Sequence, residues 1–433
     1  MTSTKQASRP GKRPKTRMTL TKQASCPEKR SKSRMTLTKQ ATDIAKIMEA
    51  KINILTAEAV DLLKGMVAIP SESFNEEEVC TYISEWMTAR QIVHKRVGNN
   101  IIARLSEQEG VEPDAFEGKP TLMLCAHIDT VGASEDYSFD PHTPDYTKAA
   151  EVISEKIANG EIPEAPAASV NETEIVAGLG SNDDGASVVS MIATFRHFIS
   201  SAFNTDLLLV LTCEEECSGV NGMTGLWGEL KSNVNYAIVG EPTGMKAATA
   251  ERGLLVIDAT AHGVSGHAAR NEGINAIDIA IKDIETLKAH TFTKVSPRMG
   301  KVNLNVTQIN AGTAHNVIPD ICTFVIDIRP TEQYTNEEIL AELQSICKSD
   351  LKPRNLKNQS SATYENSSLQ TAAESLGIET FSSPTTSDWM RIDCDAIKIG
   401  PGNSARSHKK DEFVFTSEIK DGIRTYIELI NKL

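Results

Sequence analysis

The chain has 433 residues, 40% of them hydrophobic and 5% aromatic, an ordinary globular composition but more length than one hydrophobic core holds, so two domains are expected. A formal charge of −13, carried by a strongly acidic body, argues against a nucleic-acid surface, which needs clustered positive charge, and no stretch approaches the roughly 18 apolar residues of a membrane span. The eight cysteines show no CxxC spacing, which points to a reducing, cytoplasmic setting.

The charge is uneven: up to Arg34 there are eleven Lys or Arg against the single Glu28, which leaves about −23 on the remainder. This head repeats at a period of 17, as MTSTKQASRPGKRPKTR, MTLTKQASCPEKRSKSR and MTLTKQATDIAKIMEAK. Such units are too short and too polar to stack into a repeat core. Residues 1–40 are therefore expected to be a disordered basic extension. A transit peptide is the alternative, although the first two copies lack apolar residues for an amphipathic face.

From Ala41, "ATDIAKIMEAKINILTAEAVDLLKGMVAIPSES" places apolar residues at helical spacing and stops at Gly65 and Pro70. A second helix is expected over Glu76 to Ala89. Short apolar runs then alternate with helical stretches: "NNIIARL", "TLMLCAH", a helix opening at Asp184, "DLLLVLTCEEE", a helix from Met223 to Leu230, and "NYAIVGEP". Continuous Val/Ile/Leu runs between helices predict an α/β fold with a mixed, mostly parallel sheet covered by helices on both faces. From about 247 to 351 the pattern changes to alternating strands ("LLVIDATAHG", "KVNLNVTQIN", "CTFVIDIRP") and two helices ("INAIDIAIKDIETLKAH", "TNEEILAELQSIC"), an inserted α+β domain. The first domain is thus expected over 41–246 and again over 352–433. Between Asp140 and Ile175 a charged, Ala/Pro-rich link reads as a surface excursion near the pocket mouth.

In such sheets working residues gather at the carboxyl ends of strands. "LMLCAHIDTVG" ends in His127 and Asp129, "LLLVLTCEEECSG" in Glu214, Glu215 and Glu216, and "AIVGEPTG" in Glu241, while "AGLGSNDDGAS" sets Asp183 and Asp184 in a turn before a helix. Each alone has a structural account, as an N-cap or a dipole-favoured helix start. Together they crowd carboxylates and a histidine on one sheet edge, a costly arrangement unless divalent cations neutralise it. Mixed N/O ligation suits zinc, with cobalt or manganese next.

"AHIDTV", "GLGSNDDG", "TCEEECSG", "VGEPT", "GHAAR", "GTAHNVIPD" and "GPGNSARSHKKDEFV" resemble, in order and spacing, the dinuclear-zinc family of acetylornithine deacetylase, succinyl-diaminopimelate desuccinylase, aminoacylase and glutamate carboxypeptidase. The match runs from about Ala41 to Leu433 and is closest to the acetylornithine deacetylase-like members. The resemblance implies a zinc-exopeptidase-like catalytic domain with an inserted lid and dimerisation domain. It implies that His127 and Glu241 bind one zinc, Glu216 and His408 the other, and Asp183 both. Asp129 is then expected to accept a hydrogen bond from the other ring nitrogen of His127, and Glu215 to be the general base. A slip of one residue among the three glutamates stays open, and Asp184 competes with Asp183, which is favoured by its spacing from Gly178. In the lid, His267 would reach a partner's active site, and Asn316 and Arg329 would contact substrate, with a polar turn and a surface ion pair as their alternatives. His94, His142, His197, His262, His290 and His315 match nothing in the family. Trp389 and Met390, after the "TTSD" run, depart from its pattern at the acyl pocket.

The activity implied is a zinc- or cobalt-dependent hydrolase that removes the acyl group of an N-acyl amino acid, N-acetylornithine of arginine biosynthesis first, acting as a cytoplasmic homodimer joined through the lid. N-acetylcitrulline, succinyl-diaminopimelate and small peptides are the alternative substrates. A catalytically silent metal-binding relative is the non-enzyme alternative. No Gly-x-Ser-x-Gly elbow of a serine hydrolase is present.

Overall fold

The computed structural model describes residues 27–163, 165, 167–200, 205–270 and 272–433. Two compact units divide the chain, Met1–Lys51 and Ile52–Leu433. Helices α1 (Pro27–Val67) and α2 (Glu77–Ala89) lead to strands β1 (Lys95–Val97), β2 (Asn100–Arg104) and β3 (Thr121–His127). There follow α3 (Tyr146–Ala158), β4 (Ile175–Ala177), α4 (Gly185–Ile199), β5 (Asp206–Thr212), α5 (Met223–Leu230), β6 (Tyr236–Val239) and β7 (Ala247–Glu251). A second group comprises β8 (Leu255–His262), β9 (Gly266–His267), α6 (Ala276–Ala289), β10 (Asn303–Ala311), β11 (Val317–Ile318), β12 (Ile321–Arg329), α7 (Asn336–Ile346) and β13 (Asp350–Pro353). The chain closes through β14 (Ser361–Ala362), α8 (Ser368–Ser375), β15 (Thr380–Ser383), β16 (Asp395–Lys398), β17 (Phe413–Phe415) and α9 (Thr416–Ile430).

Helix α1 begins at Pro27, inside the stretch expected to be disordered, and the first 26 residues of the repeats lie outside the described residues. No proline or glycine interrupts it between Pro27 and Gly65, and Ala, Lys and Met favour the helix. From Ile52 on, Leu55, Ala59, Leu62, Leu63 and Met66 form one buried face. Gly65 does not stop the helix. The Tyr82 ring of α2 lies where a Cβ at that position would stand, so the glycine serves close packing of the two helices.

The large sheet runs in the order β1-β2-β5-β3-β6-β16-β7-β14, with β15 also on β7. Its four central strands, β5-β3-β6-β16, are mutually parallel, while β2, β1 and β14 pair antiparallel at its edges. Strand β3 is buried on both faces. Leu122, Leu124 and Ala126 join the core beneath α1, α2, α4 and α9, while Met123 and Cys125 join a second core with Met223, Trp227 and Trp389. That double burial is why the run is continuously apolar. Trp389, only 1% exposed, is therefore a core residue rather than part of a pocket wall.

The second group forms an antiparallel sheet, β10-β12-β8-β13, packed against α6 and α7. Alternate residues of β8 (Leu255, Ile257, Ala259, Ala261) meet Phe324, Ile326, Ile339 and Leu343 in a core of their own. The link after Asp140 is a folded element and not only a surface excursion. Asp145 caps α3 by accepting from the N–H groups of Thr147 and Lys148, and Ala149 and Ile153 pack with Phe139, Phe413 and Phe415.

Candidate metal centre

Because β3, β5 and β6 are parallel neighbours, the residues that follow them emerge at one edge. His127 pairs in register with Thr212, so β3 and β5 end level and deliver His127 beside Glu215 and Glu216. Glu241 follows β6. The loop before α4 carries Asp183, and the loop before β17 carries His408. The Asp183 carboxylate divides between the two histidines: Oδ1 lies 3.3 Å from His127 Nε2 and Oδ2 lies 3.7 Å from His408 Nε2. His408 Nε2 is also 3.0 Å from Glu216. Ligand atoms of His127, Asp183 and Glu216 all lie within 4.8 Å of one another, as do those of His127, Glu215 and Glu241. The five side chains expected to hold metal are thus brought together, and Glu215 stands among them.

Asp129 meets His127 Nδ1 through two groups. The nearest partner of His127 Nδ1 is the backbone carbonyl of Asp129, at 2.9 Å, whereas its carboxylate Oδ1 is 3.5 Å away. A carbonyl only accepts, so Nδ1 carries a proton and Nε2 faces Asp183. The carboxylate also accepts from the Ser73 hydroxyl at 2.7 Å and from the N–H groups of Glu215 and Glu216 at 3.0 and 3.1 Å. It holds the backbone from which both glutamates project.

The two aspartates point in different directions. Asp183 faces the histidines, while Asp184, the N-cap position of α4, is 1% exposed and neither of its carboxylate oxygens has a hydrogen-bond partner. A residue not singled out in the sequence, Glu412, builds this loop: its buried carboxylate accepts from the N–H groups of Gly180, Asn182 and Asp183 at 3.2, 2.9 and 2.9 Å. Gly180 has φ +75°, and a Cβ there would stand 2.6 Å from the Thr130 methyl carbon, so only glycine fits.

The electrostatics favour cations. Burial, reinforced by neighbouring carboxylates, pushes Glu215 and Glu241 well above the ordinary carboxylate range, and pushes Asp184 and Glu412 up to about 8. Burial also disfavours the imidazolium of His127, but hydrogen bonds with Asp129 and Asp183 outweigh it and raise the ring well above its ordinary value. The hydrogen bond with Glu216 raises His408 to about 9. The oxygen and imidazole donors of this cluster suit a pair of divalent ions of the zinc type. Two further buried groups carry no obvious signal in the sequence. Asp388 accepts from Thr212 at 2.7 Å, and Lys398, 1% exposed, pairs with Glu251 at 2.9 Å.

The lid residues lie elsewhere. His267 sits on the exposed β9–β11 ribbon opposite Val317, its Nδ1 accepting from Ala269 N–H, and the Asn316 carbonyl accepts from Ala268 N–H beside it. Arg329 spends two nitrogens on Asp327, at 2.9 and 3.0 Å. Among the other histidines, His94 hydrogen-bonds Ser84, while His262 and His290 lie 3.1 and 2.9 Å from the carboxylates of Asp350 and Glu342.

Known proteins resemble this chain over most of its length. Residues 249–355 match the peptidase dimerisation domain of the M20 peptidases. The chain is 25% identical over 423 residues to an acetylornithine deacetylase of Photorhabdus laumondii, covering 88% of this chain and 98% of that one. It is 23% identical over 316 residues to a succinyl-diaminopimelate desuccinylase of Pelagibacter ubique, covering 68% and 73%. The fold superposes on an M20 family metallo-carboxypeptidase of Sulfolobus solfataricus with a TM-score of 0.61 at 13% identity, covering 86% of this chain and 97% of that one. No helix among the described residues is long and apolar enough to cross a membrane.

Proposed function

We propose that this chain, a metal-dependent hydrolase related to the M20 deacylases and peptidases, removes the acyl group from an N-acyl amino acid, with N-acetylornithine as the first substrate. The observation that carries the reading is the gathering of His127, Asp183, Glu216, Glu241 and His408 around Glu215 at the ends of parallel strands. His127 and Glu241 would hold one zinc, Glu216 and His408 the other, and Asp183 would serve both. Cobalt is the substitute. When bound, the two cations supply Lewis acidity toward the amide carbonyl and make water a stronger acid.

Glu215 then acts as the base. Its carboxylate takes a proton from water and returns it to the departing amine nitrogen. Asp129 keeps the carboxylate in place through the Glu215 N–H. The ribbon with His267 and Asn316 serves the substrate across a homodimer formed through the lid. Arg329 exchanges Asp327 for the substrate carboxylate, which its planar fork fits equally well.

The likeness in fold to a metallo-carboxypeptidase supports a second reading, a small peptide as substrate. A panel of N-acetylornithine, N-acetylcitrulline, succinyl-diaminopimelate and dipeptides, compared by kcat/KM, separates the two. Preference for a dipeptide would replace the deacylase reading. Hydrolysis that survives exhaustive chelation would remove the metal-dependent chemistry altogether.

A further inference from the structure

His408 is the most exposed of the five presumed ligands, with 54% of its side chain accessible. His408 and Asp411 have φ of 54° and 59°, a left-handed conformation uncommon for residues other than glycine. The segment between the first two presumed metal motifs packs against this loop.

Asp411 has no exposed side-chain surface. Its Oδ2 receives the Lys156 ammonium at 2.6 Å and the Ser138 hydroxyl at 3.0 Å, and its Oδ1 receives the Ser138 N–H at 2.6 Å. One residue earlier Lys410 pairs with Asp136 at 3.1 Å, and before that the Tyr137 hydroxyl donates to the Lys409 carbonyl at 3.3 Å. One residue later Glu412 turns the other way and holds the Asp183 loop. Residues 409–411 are thus clamped by 136–138 and α3, directly beside His408. The outer contacts are solvent-exposed and weak, whereas the Lys156–Asp411 pair encloses its carboxylate.

We propose that Lys156 of helix α3 is a positioning residue for the cation on the His408 side. Its ammonium pins Asp411, and the pinned Asp411 sets the backbone from which the imidazole projects. The excursion that contains α3 therefore belongs to the metal centre without touching the metal. A brace of purely structural value predicts something different: a lower melting temperature with both cation affinities unchanged. The inference rests on the reading of His408 as a ligand.

The test uses the full chain. Metal-free wild type, Lys156→Met, Lys156→Arg and Asp411→Asn proteins are titrated with zinc against a chromophoric chelator, which resolves two stepwise affinities. His408→Ala identifies which step belongs to that side. Substitutions behind a ligand cost about 10- to 100-fold in affinity, so Lys156→Met is expected to weaken the His408-side step by about tenfold or more and leave the other step within about twofold. Lys156→Arg is expected to restore it, and Asp411→Asn to reproduce the loss. Should Lys156→Met not fold, Ser138→Ala removes one donor to the same carboxylate and is expected to weaken the same step, by less. Unchanged affinities, or equal loss of both steps, overturn the proposal. A wild type that takes up fewer than two zinc ions, or a His408→Ala protein that keeps both affinities, overturns the metal assignment instead.

Discussion

Replacing Asp129 with Asn separates the two roles that its position allows. The change keeps the backbone carbonyl that accepts from His127 Nδ1, so the ring stays oriented. It removes the charge from a side chain that receives three hydrogen bonds, from Ser73 and from the Glu215 and Glu216 amides. An Asn carboxamide accepts through one oxygen, so at least one buried N–H loses its partner, a cost of about 1–3 kcal/mol. The larger effect is on geometry. Both amides belong to the peptide units that aim Glu215 and Glu216, and a displacement of about 1 Å in such a group costs on the order of 100-fold in rate. The expected result is a fall in kcat of about 100-fold with a loss of zinc affinity confined to the Glu216 and His408 side. Steady-state kinetics with chelator-buffered zinc measures both. If the loss falls on the His127 and Glu241 side while turnover is kept, Asp129 acts through the imidazole after all and does not brace the two glutamates.

Three other outcomes are expected. Glu215→Gln should retain both cations by elemental analysis and lose turnover by about 100- to 10,000-fold, the range of a general base, and retained turnover would put the proton on another group. Burial raises Asp388 from 3.8 to about 6, so between those values the folded protein holds a proton that the unfolded chain has released. Its stabilising contribution is full at low pH and lost as pH rises through about 6, amounting to about 3 kcal/mol at 1.36 kcal/mol per pH unit. Asp388→Asn should flatten the pH dependence of unfolding in the metal-free protein by that amount, and urea titrations with the same slope in both proteins would contradict the burial argument. Leu124→Ala in β3, where the side chain is fully buried, should lower the unfolding free energy by about 2–5 kcal/mol in the same urea assay.

Local pattern carried much of this molecule. The helix expected over Glu76 to Ala89 forms as Glu77–Ala89, the one over Met223 to Leu230 forms with those limits, and "TLMLCAH" is a strand, because helical spacing and apolar runs are written in neighbouring residues. The convergence of strand ends was legible too, since parallel strands between helices place their carboxyl ends on one edge. Tertiary structure decided what depends on residues distant in the chain. The Asp129 carboxylate holds amides 86 and 87 positions away, Glu412 reaches the Asp183 amide across 229, and Lys156 meets Asp411 across 255. A carboxylate finds whichever donors the fold brings within about 3 Å, and no local spacing in the sequence encodes that partner.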